Sequence, residues 1–253
     1  MKAIKMYFFI IIATGKCYSQ PTNDHVVLIN IGEYKKTEIT EAIQIANSFS
    51  PRVIALDMAF REYTGDAADR KLFNALMDVN NLVLPSEITS DGTDTKGQEI
   101  TSIYFSSAPQ FFTPRAKTGF VSVAVSQDQL VIPSQFYLWI QGSYSNDIYK
   151  HFSLVTAMAF DSSKAANYLE RHGRVDKLNS DFSERKFKTF SIYDLISGKA
   201  RKNDFNNKIL LFGFLGPGND DKFYTQSNLP MNQPNIYGLE YLANIVAQIL
   251  EKH

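Results

Sequence analysis

The sequence predicts an α/β fold: a mainly parallel sheet with helices on both faces, plus an antiparallel hairpin inserted in the middle. Three observations carry this expectation. Short apolar runs without alternation, such as Val26-Val-Leu-Ile-Asn-Ile31 and Ile209 to Leu215, read as strands covered on both faces. Between the early runs, apolar residues recur at helical spacing. From Phe120 the period shortens to two, as in a half-buried strand.

The elements follow in order. Val26 to Ile31 is the first strand, closed by Gly32. Thr37 is placed to cap a helix whose stripe is Ile39, Ala42, Ile43, Ala46 and Phe49, and Pro51 stops it. Arg52 to Asp57 is the second strand, and a strand–helix–strand unit of about 30 residues predicts a parallel crossover. Asp66 is placed to cap the next helix, with Ala68, Leu72, Ala75, Leu76 and Val79 on one face, before the strand Asn81 to Pro85. Three parallel strands in succession predict a doubly wound start. Gly92 to Gly97, rich in Asp and Thr, reads as an exposed loop.

In the middle, Val121, Val123 and Val125 alternate with Ser122 and Ala124. Ser126 to Gln129 reads as the turn, and Leu130 to Trp139 as the returning strand, edge-like because of Pro133. Residues 148–172 read as helical, with a break and new cap at Asp161-Ser-Ser163. Phe187 to Ser191 is a short strand and Ile192 to Ile196 a helical turn ended by Gly198. The helix after Gly238 carries Leu239, Leu242, Val246, Ile249 and Leu250 along one stripe. With no repeat and no linker, residues 21–253 are expected to form one domain.

Charge excludes one class of partner. Lys+Arg and Asp+Glu both number 26, so no field draws the protein to nucleic acid. Lys2 and Lys5 precede the apolar run Met6 to Ala13, and small and polar residues follow to Gln20. That is the layout of a signal peptide over residues 1–20, and the run is too short to span a bilayer. Its removal takes Lys2, Lys5 and Lys16 and no acid, which leaves a mildly acidic chain in the periplasm or outside the cell. Cleavage after Gln20 removes the single cysteine, Cys17, whereas the alternative cleavage after Gly15 keeps it; Lys16 beside it argues against lipidation. With one cysteine no internal disulfide can form, so stability rests on core burial.

Parallel sheets bind ligands beyond the carboxyl ends of their strands, where the loops diverge. Asp57, Pro85, Ser86 and the loop from Gly213 through Gly216 to Asp220 and Asp221 are all expected there. Two carboxylates in one crevice can bind a cation or act as an acid/base pair; the plainer reading caps a loop with Asp57 and leaves the others solvated. The glycines of Gly213-Phe-Leu-Gly-Pro-Gly218 read as a tight turn, because no Lys-Ser/Thr pair follows them and Pro217 lacks an N–H. His25, His151, His172 and His253 have no metal-like spacing. His151-Phe-Ser153 sits in no nucleophile elbow. The aromatics of the centre, Phe136 and Trp139 among them, read as core. Asn244 reads as structural, hydrogen-bonded to the 213–222 loop.

Several segments, taken in order, resemble the CHASE2 family, an extracytoplasmic sensory domain of bacterial receptors. They are Arg52-Val-Ile-Ala-Leu-Asp-Met-Ala-Phe60, Asp69-Arg-Lys-Leu-Phe-Asn-Ala-Leu76 leading to Leu82-Val-Leu84, and Phe190-Ser-Ile-Tyr-Asp-Leu-Ile-Ser-Gly198. Lys208 to Gly213, an Asp at 220 or 221, Thr225, and Gly238 to Leu250 follow the family's closing order. The chain departs at Asn30-Ile-Gly32, where members carry acids, and at Asp128-Gln129, where they carry Asp-Gly. The resemblance adds Thr225 to the candidate ligand-binding set.

It implies a non-catalytic sensing module that binds an unknown small molecule, with no catalytic residue, metal or cofactor assigned. Family receptors continue into transmembrane helices and a cytoplasmic kinase or cyclase, whereas this sequence ends at His253. A membrane receptor or another envelope protein is therefore the expected partner, and residues 216–234 the segment expected to move. Two alternatives stand beside this. One is an extracytoplasmic hydrolase using Asp57 with Asp220 or Asp221. The other is a structural envelope protein that oligomerises through its apolar C-terminal helix.

Overall fold

A computed structural model describes residues 24–58, 64–86, 89–93, 99–102, 115–121, 136–141, 147–178, 186–217, 221–223 and 236–251. The first elements are β1 (Val26–Asn30), α1 (Lys36–Ser48), β2 (Val53–Leu56), α2 (Ala67–Met77) and β3 (Leu82–Ser86). Next come β4 (Thr89–Thr93), β5 (Glu99–Ser102), β6 (Lys117–Phe120), β7 (Phe136–Tyr137), β8 (Trp139–Gln141) and β9 (Ile148–Lys150). Helices α3 (Phe152–Phe160) and α4 (Ser162–His172) precede β10 (Val175–Asp176) and β11 (Lys188–Ser191). The chain continues through α5 (Ile192–Ile196), α6 (Lys202–Phe205), β12 (Ile209–Gly213), β13 (Lys222–Phe223), β14 (Ile236–Tyr237) and α7 (Gly238–Leu250).

Six strands form one sheet in the order β11-β1-β12-β2-β3-β6, and every pairing in it is parallel. Burial on both faces is why β1, β2 and β12 read as unbroken apolar runs. Val26 and Leu28 enter a core with α3, α4 and α7, while Val27 and Ile29 enter a second core with α1, α2, α5 and α6. The crossovers β1 to β2, β2 to β3 and β11 to β12 all run one way across the sheet, and their helices share a face. The return from β6 to β11 runs the other way and puts α3 and α4 opposite, as a single hand of crossover requires.

The spatial order differs from the order along the chain at one point: β12 lies between β1 and β2. All five of its residues are buried, so the most apolar strand takes the centre. Helix α1 begins before Thr37, with Lys35 as its cap. The Lys35 N–H donates to the Glu38 carboxylate at 2.8 Å, half of a capping box without the hydroxyl. Asp66 caps α2 as expected, accepting from the Asp69 N–H at 2.8 Å. Asp161 ends α3 and caps α4, accepting from the Lys164 N–H at 3.0 Å; residues 148–150, expected to be helical, are strand.

The centre departs further from expectation. Gly92 and Thr93, read as loop, belong to β4, which pairs antiparallel with β5 through a register shift. Their Thr/Ser/Asp-rich sequence has no apolar alternation to betray a strand. The strand ahead of Val121 is β6, parallel to β3. The valine alternation beyond Val121 and the expected turn at 126–129 lie outside the described residues, as does the expected signal peptide. Tyr137 and Phe136 pair with β10, and Trp139 to Gln141 with β9, in short antiparallel pairs. Phe120 and Phe136 are core. Among the described residues no helix is long and apolar enough to cross a membrane.

Candidate functional site

The carboxyl ends of β1, β12 and β2 lie side by side. Asn30 pairs in register with Gly213, and Phe212 with Leu56, and the Asp57 N–H donates to the Phe212 carbonyl at 2.7 Å. Asn30, Gly213 and Asp57 are therefore level, and strand alternation puts all three on the face of α3 and α7. Gly213 is the low point between them. A Cβ there would sit 2.7 Å from Leu239 Cδ1, so the missing side chain admits the first turn of α7.

The loop after β12 is held from two sides. Asn30 Oδ1 accepts from the Leu215 N–H at 2.9 Å and from the Gly32 N–H at 2.9 Å, and Asn30 Nδ2 donates to the Leu215 carbonyl at 3.2 Å. The Tyr237 hydroxyl donates to the Gly216 carbonyl at 2.7 Å. Gly216 is buried, and a Cβ on it would lie 2.2 Å from the tip of the Phe214 ring. Beyond Pro217 the chain reappears at Asp221, whose carbonyl accepts from the Gly238 N–H at 2.9 Å. That bond continues the β13–β14 ladder and sets Asp221 at the start of α7.

Asp57 and Asp221 thus come within electrostatic reach of each other. Burial, and then the negative charge of Asp221, push Asp57 up to about 7. Burial pushes Asp221 up to about 6. A desolvated carboxylate is costly, and a second one beside it makes the charged pair costlier still. Near neutral pH such a pair holds a proton on one oxygen and a charge on another, so it can donate and accept hydrogen bonds or take up a cation.

The remaining predicted residues divide. Ser86, 5% exposed at the end of β3, lines a separate cleft between β6 and β9. Asp220 and Thr225 lie outside the described residues. Among those described, no group of three or more His, Cys, Asp or Glu residues could hold a metal. His151 Nδ1 accepts from the Ser153 backbone N–H at 3.2 Å, and the Ser153 hydroxyl donates to the Leu242 carbonyl at 3.0 Å; the pair caps and packs α3. Asn244 Nδ2 donates to the Glu240 carbonyl one turn back at 2.8 Å.

Sequence reasoning gave no role to Asn30 or Tyr237. The signal for Asn30 was present, since an Asn two residues before a glycine at φ +49° forms an Asx turn. Tyr237 had none, because its partner is a backbone carbonyl distant in sequence.

The segments that carry the family resemblance fold as β2, α2, β3, β11–α5, β12 and α7, all in the central sheet or packed on it. A family model for the CHASE2 domain matches residues 22–253. A search of curated proteins and of solved structures returns no match. The match spans nearly the whole chain, so the chain belongs to the CHASE2 family of extracytoplasmic sensory domains.

Proposed function

We propose that this domain is a non-catalytic sensing module that binds a small ligand at the Asp57–Asp221 crevice and reports occupancy to a partner, a membrane receptor or another envelope protein. The observation that carries this reading is the desolvated acid pair at the carboxyl ends of the central strands. Such a pair weakens the empty protein and is relieved by a ligand that supplies hydrogen bonds or positive charge, which is how binding sites differ from surfaces optimised for stability.

The crevice is also placed to transmit its state. Asp221 is bonded to the first residue of α7, and Leu239 in the next position fills the hollow over Gly213. A ligand that moves Asp221 therefore acts on the helix most deeply embedded in one of the two cores. It shifts a partner-facing surface only to the extent that it binds one arrangement better than another.

Native mass spectrometry of the protein recovered from the exported fraction tests this. The expected result is a mass excess that disappears on denaturation and is missing from Asp57→Asn and Asp221→Asn. A bare parent protein, or an excess that both variants retain, would overturn the reading.

A further inference from the structure

The second cavity lies at the outer strand of the sheet. β6 pairs with β3 from Val83–Lys117 to Ser86–Phe120. On its other side it meets the 148–151 segment through a parallel bridge between Phe120 and His151. At Gly119 the two backbones touch: a Cβ there would lie 2.6 Å from Phe152 Cα and 2.8 Å from Phe152 N. Away from this pinch β9 pairs with β8 instead, and β6 and β9 leave between them a cleft of about 600 Å³. Small-molecule sites typically enclose ~300–1,000 Å³.

The lining has two chemistries. Val155 and Met158 of α3 form an apolar floor, and the methionine can adapt its shape to what it covers. Lys117 and Lys150 stand on opposite walls, with Tyr149 beside Lys150. Asn81 Oδ1, at the foot of β3 just outside the lining, accepts from Lys117 Nζ at 2.9 Å, which holds that ammonium at the cleft's edge. Asp147 is the one acid in the lining, so the cleft keeps a net positive charge. Neither Asp57 nor Asp221 takes part.

We propose that this cleft is a binding site for a small amphipathic carboxylate, with its apolar body on Val155 and Met158 and its anionic head between Lys117 and Lys150. A cation of the same shape would face two ammonium groups, and a neutral molecule would forgo the charge-assisted bonds that an ammonium gives a carboxylate. The site is independent of the Asp57–Asp221 crevice, so either assignment can fail alone.

Saturation-transfer NMR on the exported chain, with 4-phenylbutyrate and its amine counterpart 4-phenylbutylamine as probes, tests the assignment. The acid should bind saturably and the amine should not compete with it. Lys150→Gln, which keeps the stem and removes the charge, should weaken the acid by roughly tenfold. Met158→Trp, which fills the floor, should abolish binding. No binding of the acid, equal binding of the amine, or an acid affinity unchanged in Lys150→Gln would each overturn the proposal, and the last does not depend on whether Met158→Trp folds.

Discussion

Asp57 is a residue whose ionisation the fold opposes. Its pKa rises from 3.8 to about 7 on folding, so the folded chain binds this proton more tightly than the unfolded chain. Stability from the protonated acid is fully present below about pH 4 and is lost as pH rises through 7. At about 1.4 kcal/mol per pKa unit the shift has a ceiling of about 4 kcal/mol; the neighbouring Asp221, which titrates in the same range, makes roughly 2 kcal/mol the working figure. Asp57→Asn is neutral throughout. It should match the parent at pH 4 and exceed it by roughly 2 kcal/mol at pH 8, measured by urea denaturation at both pH values. A variant no more stable than the parent at pH 8 would remove the desolvation argument. Strand-end logic was enough to place Asp57 near the loop that carries Asp220 and Asp221, because parallel strands deliver their ends to one place, but it could not choose between those two acids. It set Ser86 beside them, whereas Ser86 lines a different cleft, since which cavity a strand end faces depends on β6 and β9, whose positions no local pattern records. It overlooked Asn30, whose value lies in two bonds to a loop far along the chain.

Single glycines decide how closely elements approach. At Gly213 an added Cβ meets the end of the Leu239 side chain, which can rotate away; at Gly119 it meets the backbone of Phe152, which cannot. Gly119→Ala must therefore separate β6 from the start of α3, at a cost of about 1–3 kcal/mol typical of overpacking. The expected result is a lowered melting temperature, with Gly213→Ala affected less. A Gly119→Ala protein that melts like the parent would show that the two elements are not in contact. Elements built from local pattern were legible: the apolar runs of β1, β2 and β12, the stripe of α1, the Asp66 and Asp161 caps. What local pattern lacks is the placement of β12 between β1 and β2, and the strands β4 and β5 in a polar stretch. Helix α7 shows the same limit. Its sequence suggests one apolar stripe, but every residue from Tyr241 to Leu250 is buried within the chain. The polar positions on its back are satisfied there too, with Gln248 Nε2 donating to the Tyr168 hydroxyl at 2.7 Å and the Lys177 carbonyl at 2.9 Å. Between Tyr241 and Leu250, α7 is thus packed inside the chain.

Across the whole molecule, the two cores lie on opposite faces of one sheet and share its strands residue by residue. In β1, Val26 and Leu28 belong to one core and Val27 and Ile29 to the other. β2 and β12 divide in the same way. Neither layer can lose its sheet while the other keeps it, so the fold should unfold as one unit. The single tryptophan makes this measurable. Trp139 packs against the core of α3 and α7, whereas Ile43 of α1 is fully buried in the opposite core. Ile43→Ala creates a cavity on the α1 face at a cost of about 2–5 kcal/mol. If the sheet couples the two layers, Trp139 fluorescence and far-UV circular dichroism should report the same lowered urea midpoint in the variant, although the tryptophan lies across the sheet from the substitution. A tryptophan transition that stays at the parent midpoint while the dichroism shifts would mean that the layers unfold separately, and that a signal at the strand ends on one face need not reach the helices on the other.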